Sequence, residues 1–298
     1  HVLLGAGAST FGVNGPLTIY GNIVTVNSGV SSAGAITIDA GEIRLEAGIT
    51  STAAGAAILL QATGNILTSY SNTTARTISA TNGNLSIIGD SDANGSGQLN
   101  LDYTTFSAGT GNVLFRGETV GWTVGGSATP TIKNTTGGFT FESSDASFGQ
   151  YIETGWFNFP STLSSFTIGK STNTEYVRIT VNPLSVAGLI TLYGGDIDLY
   201  DLTVSSATGD IKVLAKGNIT DNSSLTYLQL TTQGGDILLA ADVDGNGGGY
   251  ILIDEATGSS TTERPTFISN GGNITLAGGD ATGSGFAKGI STYQRGIA

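Results

Sequence analysis

Residues 41–47 read GEIRLEA, and they alternate apolar with polar side chains. Ile43 and Leu45 lie on one face of the predicted strand and Arg44 lies on the other, which is typical of a strand with one buried face. Short pieces of this kind, each beginning with glycine, recur along the chain at 15–21, 34–40, 209–215, 234–240 and 271–277. Since no segment has the apolar stripe and the caps of an amphipathic helix, the sequence predicts an all-β protein.

A larger duplication contains these short pieces. Residues 15–21 match residues 188–194 at an offset of 173, whereas residues 41–45 match residues 195–199 at an offset of 154. The first copy therefore contains about 20 extra residues, roughly Asn22 to Ala40, and a solenoid can gain such a segment as one whole coil because each repeat contacts only its neighbours. We predict a right-handed parallel β-helix with coils of about 20 residues. An antiparallel β-sandwich built from similar strands is the alternative.

The composition supports a long solenoid with many turns. Glycine occurs 46 times in 298 residues, which indicates frequent turns. Hydrophobic residues make up 39%, so the chain can build a core, unlike a disordered glycine-rich chain. We expect a first repeat block at 1–116, an aromatic-rich irregular section of the same solenoid at 117–165, and a second repeat block at 166–298.

Charge and residue content exclude several classes of function. The net charge is −12 with only 11 Lys and Arg residues, so we expect no nucleic-acid partner. The chain has no Cys, and its single histidine is His1, which excludes thiolate metal sites and the usual Ser-His and Cys-His catalytic pairs. No apolar run approaches the roughly 18 residues of a spanning helix, so we expect no membrane insertion.

Several longer stretches resemble the repeats of large filamentous-haemagglutinin-like bacterial surface proteins. These stretches are residues 41–66, 166–195, 194–219 and 234–253. The resemblance implies a right-handed parallel β-helix that is secreted to the cell surface or beyond. It also implies a structural or adhesive role, as a rod-like scaffold or adhesin, with glycans or receptors on other cells as partners.

The ends of the chain lie within the repeat pattern. The sequence begins at His1 and contains no Met, so we expect it to be part of a longer polypeptide. The end of a β-helix exposes unpaired backbone groups and apolar columns. We therefore expect neighbouring coils, in the same polypeptide or in another subunit of the same protein, to cover both ends.

Two acidic loops are candidate calcium sites. Both read D-x-D-x-N-G, and they lie at equivalent positions of the duplication, an offset of 152 apart. Alternating oxygen side chains followed by glycine can surround calcium, but the twelfth position, a glutamate in an EF-hand, is Leu101 or Ile253 here. An Asx-rich turn is the other interpretation. The candidate ligands are Asp90, Asp92, Asn94, Asp242, Asp244 and Asn246.

Aromatic residues concentrate in the section 117–166. Trp122, Tyr151 and Trp156 are candidates for a platform on which sugar rings stack. The other interpretation is that the aromatic rings of this section fill a wide or irregular part of the core, because aromatic side chains bury large areas.

Outward carboxylates on the predicted strands raise the question of catalysis. Asp196 and Asp198 share one strand face, and Glu42 and Glu46 flank Arg44 on the matching strand. We interpret these charges as a solvated face, and we expect no catalytic residues, no required cofactor and no enzymatic activity. A polysaccharide-active β-helix hydrolase or lyase and a calcium-dependent carbohydrate-binding module are the alternatives.

Overall fold

The computed structural model describes residues 1–5, 10–68, 73–121, 129–180, 183–200, 203–222, 228–253 and 265–278. These residues form 30 β-strands and one 3-10 turn, Thr154–Trp156. The chain divides into two compact units, of which the first contains residues 1–150 and 156–164 and the second contains residues 151–155 and 165–298.

The strands of the first unit are short, except for two of ten residues. In chain order they are β1 (Val2–Leu4), β2 (Phe11–Val13), β3 (Leu17–Val26), β4 (Val30–Ser32), β5 (Ile36–Leu45), β6 (Ile49–Ser51), β7 (Ile58–Ala62), β8 (Ile66–Thr68), β9 (Arg76–Ala80), β10 (Leu85–Ile88), β11 (Gln98–Asn100), β12 (Thr104–Ser107), β13 (Val113–Arg116), β14 (Thr119–Val120), β15 (Thr131–Ile132) and β16 (Gly138–Glu142).

The strands of the second unit have two to six residues. In chain order they are β17 (Ile152–Glu153), β18 (Ser165–Ile168), β19 (Val177–Ile179), β20 (Leu184–Val186), β21 (Leu189–Gly194), β22 (Ile197–Leu199), β23 (Thr203–Ser206), β24 (Ile211–Ala215), β25 (Ile219–Asp221), β26 (Gln229–Thr232), β27 (Ile237–Ala241), β28 (Ile251–Ile253), β29 (Thr266–Ile268) and β30 (Ile274–Gly278).

Each unit has three faces, and each face is a stack of parallel strands. In the first unit, face one stacks β3, β5, β7, β10, β13 and β16, and face three stacks β2, β4, β6, β9, β12 and β15. Face two contains β1, the second halves of β3 and β5, and then β8, β11 and β14. In the second unit, face one stacks β18, β21, β24, β27 and β30, face two stacks β17, β19, β22, β25 and β28, and face three stacks β20, β23, β26 and β29. The predicted fold class, an all-β parallel β-helix, is confirmed.

The coil length varies along the chain. Leu17 pairs with Ile36, which is 19 residues later, and Ile36 pairs with Ile58 after 22 residues. The predicted extra segment, roughly Asn22 to Ala40, is therefore one complete coil. Other coils are longer than the expected 20 residues, up to the 37 that separate Ile237 from Ile274.

Apolar columns run through the interior of each unit. In the first unit Ile36, Ile58, Leu85, Val113 and Phe139 are in register, and each is at most 1% exposed. Burial of a side chain of this size contributes roughly 1.5–3 kcal/mol to folding. The alternating pattern of residues 41–47 is confirmed, since Ile43 and Leu45 are buried and Arg44 is exposed.

Stacked glycines allow the coils to approach closely at one corner. A Cβ atom built on Gly111 would lie 2.2 Å from the carbonyl oxygen of Gly83, and one on Gly137 would lie 2.1 Å from that of Gly111. In the second unit, a Cβ atom on Gly235 would lie 2.2 Å from the carbonyl oxygen of Gly209, and one on Gly272 would lie 2.2 Å from that of Gly235. These distances leave no room for a side chain, which explains the glycines at this corner of the stacked coils.

We predict that deletion of residues 22–40 leaves a folded protein with one coil fewer. The deletion joins Gly21 to Gly41 and so reproduces the Tyr-Gly-Gly corner that residues 193–195 form naturally. Circular dichroism and chemical denaturation should show a β-rich protein that unfolds cooperatively. Deletion of residues 22–31 alone is the control, because it removes half a coil and moves apolar side chains out of register. Equal loss of structure in both variants would contradict the one-coil interpretation.

Candidate functional site

The two D-x-D-x-N-G loops have the same backbone geometry in their respective units. Asp90 and Asp242 both have a positive φ, 54° and 56°. The N–H of Asp90 donates to the carbonyl of Gly64 at 3.0 Å, and that of Asp242 donates to the carbonyl of Gly217 at 3.2 Å. Gly64 and Gly217 each begin a Gly-Asn-Ile triplet, at residues 64–66 and 217–219, an offset of 153. The loops therefore follow equivalent corners, as the sequence predicts.

The first aspartate of each loop is buried and caps the loop. Asp90 is 0% exposed, and its two carboxylate oxygens accept the N–H groups of Asn94 and Gly95 at 3.0 and 3.2 Å. Asp242 is 6% exposed, and both of its oxygens accept the N–H of Gly247, at 2.9 and 3.0 Å. These contacts are those of an Asx-rich turn.

The other candidate calcium ligands lie at the surface. Asn94 Nδ2 donates to Asp92 at 3.0 Å, and Asn246 Nδ2 donates to Asp244 at 3.1 Å. Within the described residues, no three His, Cys, Asp or Glu side chains converge as a metal site would require. Calcium binding therefore stays a prediction, and the described contacts give the loops a structural role.

We predict that Asp242→Ala lowers the free energy of unfolding by about 1–3 kcal/mol, because a backbone N–H loses a charged, buried acceptor. Asp244→Ala should change it by less than about 0.5 kcal/mol, since Asp244 is exposed. Denaturation with and without calcium measures both values, and isothermal titration measures binding directly. A calcium-dependent gain in stability that both variants lose would instead support a metal site.

Phenylalanine rings of the aromatic section pack with two earlier rings, Phe106 and Phe115, in the core of the first unit. Phe106 and Phe115 have ring centroids 4.7 Å apart, and Phe141 and Phe148 have centroids 4.9 Å apart. The rings make edge-to-face and tilted contacts, which stabilise the core in addition to the burial of apolar area. The cluster comprises Phe106, Phe115, Phe139, Phe141, Phe148, Phe157 and Phe159.

Two of the three residues predicted as a sugar platform lie in the part of the chain that the structure describes. Tyr151 is 52% exposed and belongs to the second unit, whereas Trp156 is partly exposed and belongs to the first. Trp122 lies outside the described residues. The sugar platform therefore stays a prediction, and the interpretation that aromatic rings fill the core holds for the phenylalanine cluster.

The outward carboxylates differ from one another in burial. Glu42 is partly exposed and accepts a hydrogen bond from Arg44 Nε on the same strand. Asp196 is exposed, and its Oδ1 accepts the N–H of Asn218 at 2.6 Å. The prediction of a solvated face agrees with the exposure of these residues.

For Asp198 the prediction of a solvated position is wrong. The residue is 1% exposed, because Tyr176 and Arg178 of the preceding coil cover it. Tyr176 Oη donates to Oδ2 at 2.8 Å, Arg178 Nε lies 3.5 Å from the same oxygen, and Asn222 N–H donates to Oδ1 at 3.2 Å. Burial, followed by the hydrogen bond to Asp198, raises the pKa of Tyr176. Arg178 also stacks on Tyr200, with its guanidinium carbon 4.0 Å from the ring centroid.

A ladder of polar side chains, which was not predicted from the sequence, follows the glycine corner. In the first unit, Asn112 N–H donates to Oδ1 of Asn84 at 2.9 Å, and Gly138 N–H donates to Oδ1 of Asn112 at 2.7 Å. Each side chain thus accepts the N–H of the equivalent residue one coil later. The signal is the Asn or Asp that follows the leading glycine of many repeats, as in G-N-I and G-D-I.

The ladder of the second unit carries a titratable group. Asp236 N–H donates to Oδ1 of Asp210 at 2.9 Å, and Asn273 N–H donates to Oδ1 of Asp236 at 2.7 Å. The pKa of the Asp210 carboxyl is lowered, first by the N–H of Asp236 and then by Lys212, whose Nζ lies 3.1 Å away. Burial opposes this shift only in part.

We predict that Asp210 makes the stability depend on pH in the acidic range. A carboxyl whose pKa is lowered by folding stabilises the protein above its unfolded-state pKa, and this contribution is lost as the pH falls through the folded-state pKa. The Asp210→Asn variant keeps an oxygen acceptor but has no charge. Its denaturation midpoint should therefore fall less than that of the wild type between about pH 7 and about pH 3. Equal falls in both proteins would contradict the prediction.

A depression on the surface of the second unit, which we call the corner groove, crosses the corner between faces one and two. Its walls are the loops 169–176 and 242–250. Its floor is formed by the two intervening coils, at β21–β22 and β24–β25. Lining side chains include Tyr193, Leu214, Lys216, Asp196, Asp244 and Asn246. No local sequence pattern predicts this groove, because its residues come from four different coils.

No protein-family model, curated protein or solved structure gives a match to this chain. Within the residues described above, no helix is long and apolar enough to cross a membrane. A function for the protein therefore has to be argued from the contacts of the chain itself.

Proposed function

We propose that the chain is a structural or adhesive segment of a large secreted bacterial protein, at the cell surface or in an extracellular filament. The observation that carries the proposal is the stacking of coils in both units, with three parallel ladders and one set of corner contacts repeated. Stability in such a fold is roughly a sum over neighbouring coils, so length can grow without a larger core. This property suits a protein that has to extend from a cell.

Exposed apolar residues on the outermost described coils support the proposal that further coils of the same protein cover these coils. Phe11 is in register with the buried Val30, and yet it is 42% exposed. Ile274 is in register with the buried Ile237, and it is 46% exposed. A further coil would bury both side chains and pair the strand edges that have no partner among the described strands. Such unpaired edges otherwise favour unspecific association. We therefore propose that neighbouring coils or subunits of the same protein are its partners there.

The carboxylates of the described residues give less support to a polysaccharide-cleaving enzyme. Hydrolysis of a glycosidic bond uses two carboxyl groups that flank the bond. Asp198, the most buried outward carboxylate of its face, has three protein partners, namely Tyr176, Arg178 and Asn222. A group held in this way stabilises two adjacent coils and is poorly arranged to exchange protons with a substrate.

We predict that cells whose surface protein lacks this segment attach several-fold less to surfaces or to other cells. The test deletes the codons of the segment in the intact gene and counts attached cells. Immunogold labelling of the full-length protein reports its location, and the variant without residues 22–40 is the matched control, because a protein one coil shorter should still support attachment. Normal attachment without the segment, a location inside the cell, or release of sugars from a glycan by the purified protein would contradict the proposal.

A further inference from the structure

The corner groove of the second unit has an apolar end. Tyr193 and Leu214 are in register on adjacent coils, and both side chains point outward from face one. Val243 from the loop 242–250 closes this end, and Ser171 and Asn173 from the loop 169–176 lie opposite. The floor therefore presents an aromatic ring beside an aliphatic side chain, between two walls.

The other end of the groove is polar. Asp196, Asp244 and Asn246 are exposed there and supply oxygen acceptors and an amide donor. Lys216 borders both ends, and its Nζ donates to the carbonyl of Thr172 in the first wall at 2.8 Å. The groove thus combines one apolar surface with several hydrogen-bonding groups at a short distance from it.

Both walls of the groove are held in place by buried polar side chains. Asn173 is 1% exposed, and its Nδ2 donates to the carbonyl of Tyr193 at 3.1 Å, which fixes the first loop to the floor. Asp242 caps the second loop through Gly247, as described above. Binding therefore requires little ordering of the walls, and a preformed groove has a lower entropic cost of binding.

We propose that the corner groove binds a neutral oligosaccharide chain. The two floor coils make the groove about 10 Å wide, enough for one extended chain. Pyranose rings pack their C–H faces on aromatic rings, while their hydroxyls pair with carboxylates, amides and ammonium groups. Asp196 and Asp244 outnumber Lys216, and the whole chain carries −12, so an acidic polysaccharide or a nucleic acid is disfavoured. The inference rests on the proposed adhesive role, because it names the class of ligand that such a role needs.

The first unit shows what distinguishes the groove from an ordinary corner. In the first unit, the two coils that precede the D-x-D-x-N-G loop carry Asp39 and Gln61 at the outward positions in register. The corresponding residues of the second unit are Tyr193 and Leu214. The position of Lys216, two residues after Leu214, corresponds to Thr63. This corner lacks the aromatic ring and the cation, and it also lacks the first wall, because β3 continues without a loop where residues 169–176 lie in the second unit. The chain therefore contains its own negative control.

Isothermal titration of the full chain with cellohexaose, maltohexaose and chitohexaose tests the proposal, with hexagalacturonate and hexalysine as acidic and basic probes. We expect binding of at least one neutral probe. Tyr193→Ala should weaken it about tenfold, corresponding to loss of the stacking contact, and Asp244→Ala should weaken it measurably. The matched controls are Tyr20→Ala, at the other outward Tyr-Gly position, and Asp92→Ala in the first loop, and neither should change binding. Thermal unfolding of every variant verifies that it is folded.

Three results would overturn the inference: no binding of any neutral probe, unchanged binding in folded Tyr193→Ala and Asp244→Ala variants, or tighter binding of the acidic or the basic probe. The attachment assay separates this failure from failure of the proposed function. If deletion of the segment abolishes attachment while Tyr193→Ala leaves both attachment and sugar binding unchanged, the adhesive role stands and the groove is not the binding site.

Discussion

The backbones of successive coils lie one strand spacing apart, about 4.8 Å, on every face of each unit. At the corner before face one this approach places the carbonyl of Gly83 where a Cβ of Gly111 would be. The glycines of this stack have ordinary negative φ, so the lack of a side chain, and not a left-handed backbone, is what the position requires. The following Asn or Asp then uses its side-chain oxygen to accept the N–H of the next coil, as Asn112 does for Gly138.

Buried carboxylates also accept hydrogen bonds that hold the backbone at the places where a loop leaves the coil. Asp90 and Asp242 satisfy N–H groups of loops that contain no strand of their own, and Asp198 joins the side chains of adjacent coils. Isolated buried charges are costly, but each of these is compensated by hydrogen bonds or by a cation. Each face of the β-helix is a single layer of strands, so it offers few other contacts that could hold a protruding loop. The loops are consequently well defined, and the second unit uses two of them as the walls of the corner groove.

The two units follow one plan on the inside and differ on the outside. Inward positions are restricted to apolar side chains that stack in register, whereas outward positions tolerate either the polar pair Asp39 and Gln61 or the apolar pair Tyr193 and Leu214. Variation at outward positions and in loops changes the surface without disturbing the ladders. The proposed scaffold function therefore depends on what the units share, and the proposed sugar binding depends on what distinguishes the second unit.

The sequence by itself predicted the parallel β-helix, because alternation such as that of Ile43, Arg44 and Leu45 sets the strand faces and a one-coil insertion favours a solenoid over a β-sandwich. It also determined that the two D-x-D-x-N-G loops are equivalent. Only the tertiary structure distinguished Asp196 from Asp198, which share one strand face in the sequence, since the cover over Asp198 comes from the coil before it. The corner groove, too, is evident only in the tertiary structure. Contacts between coils join residues whose separation along the chain depends on the lengths of irregular loops, and no local pattern encodes that distance.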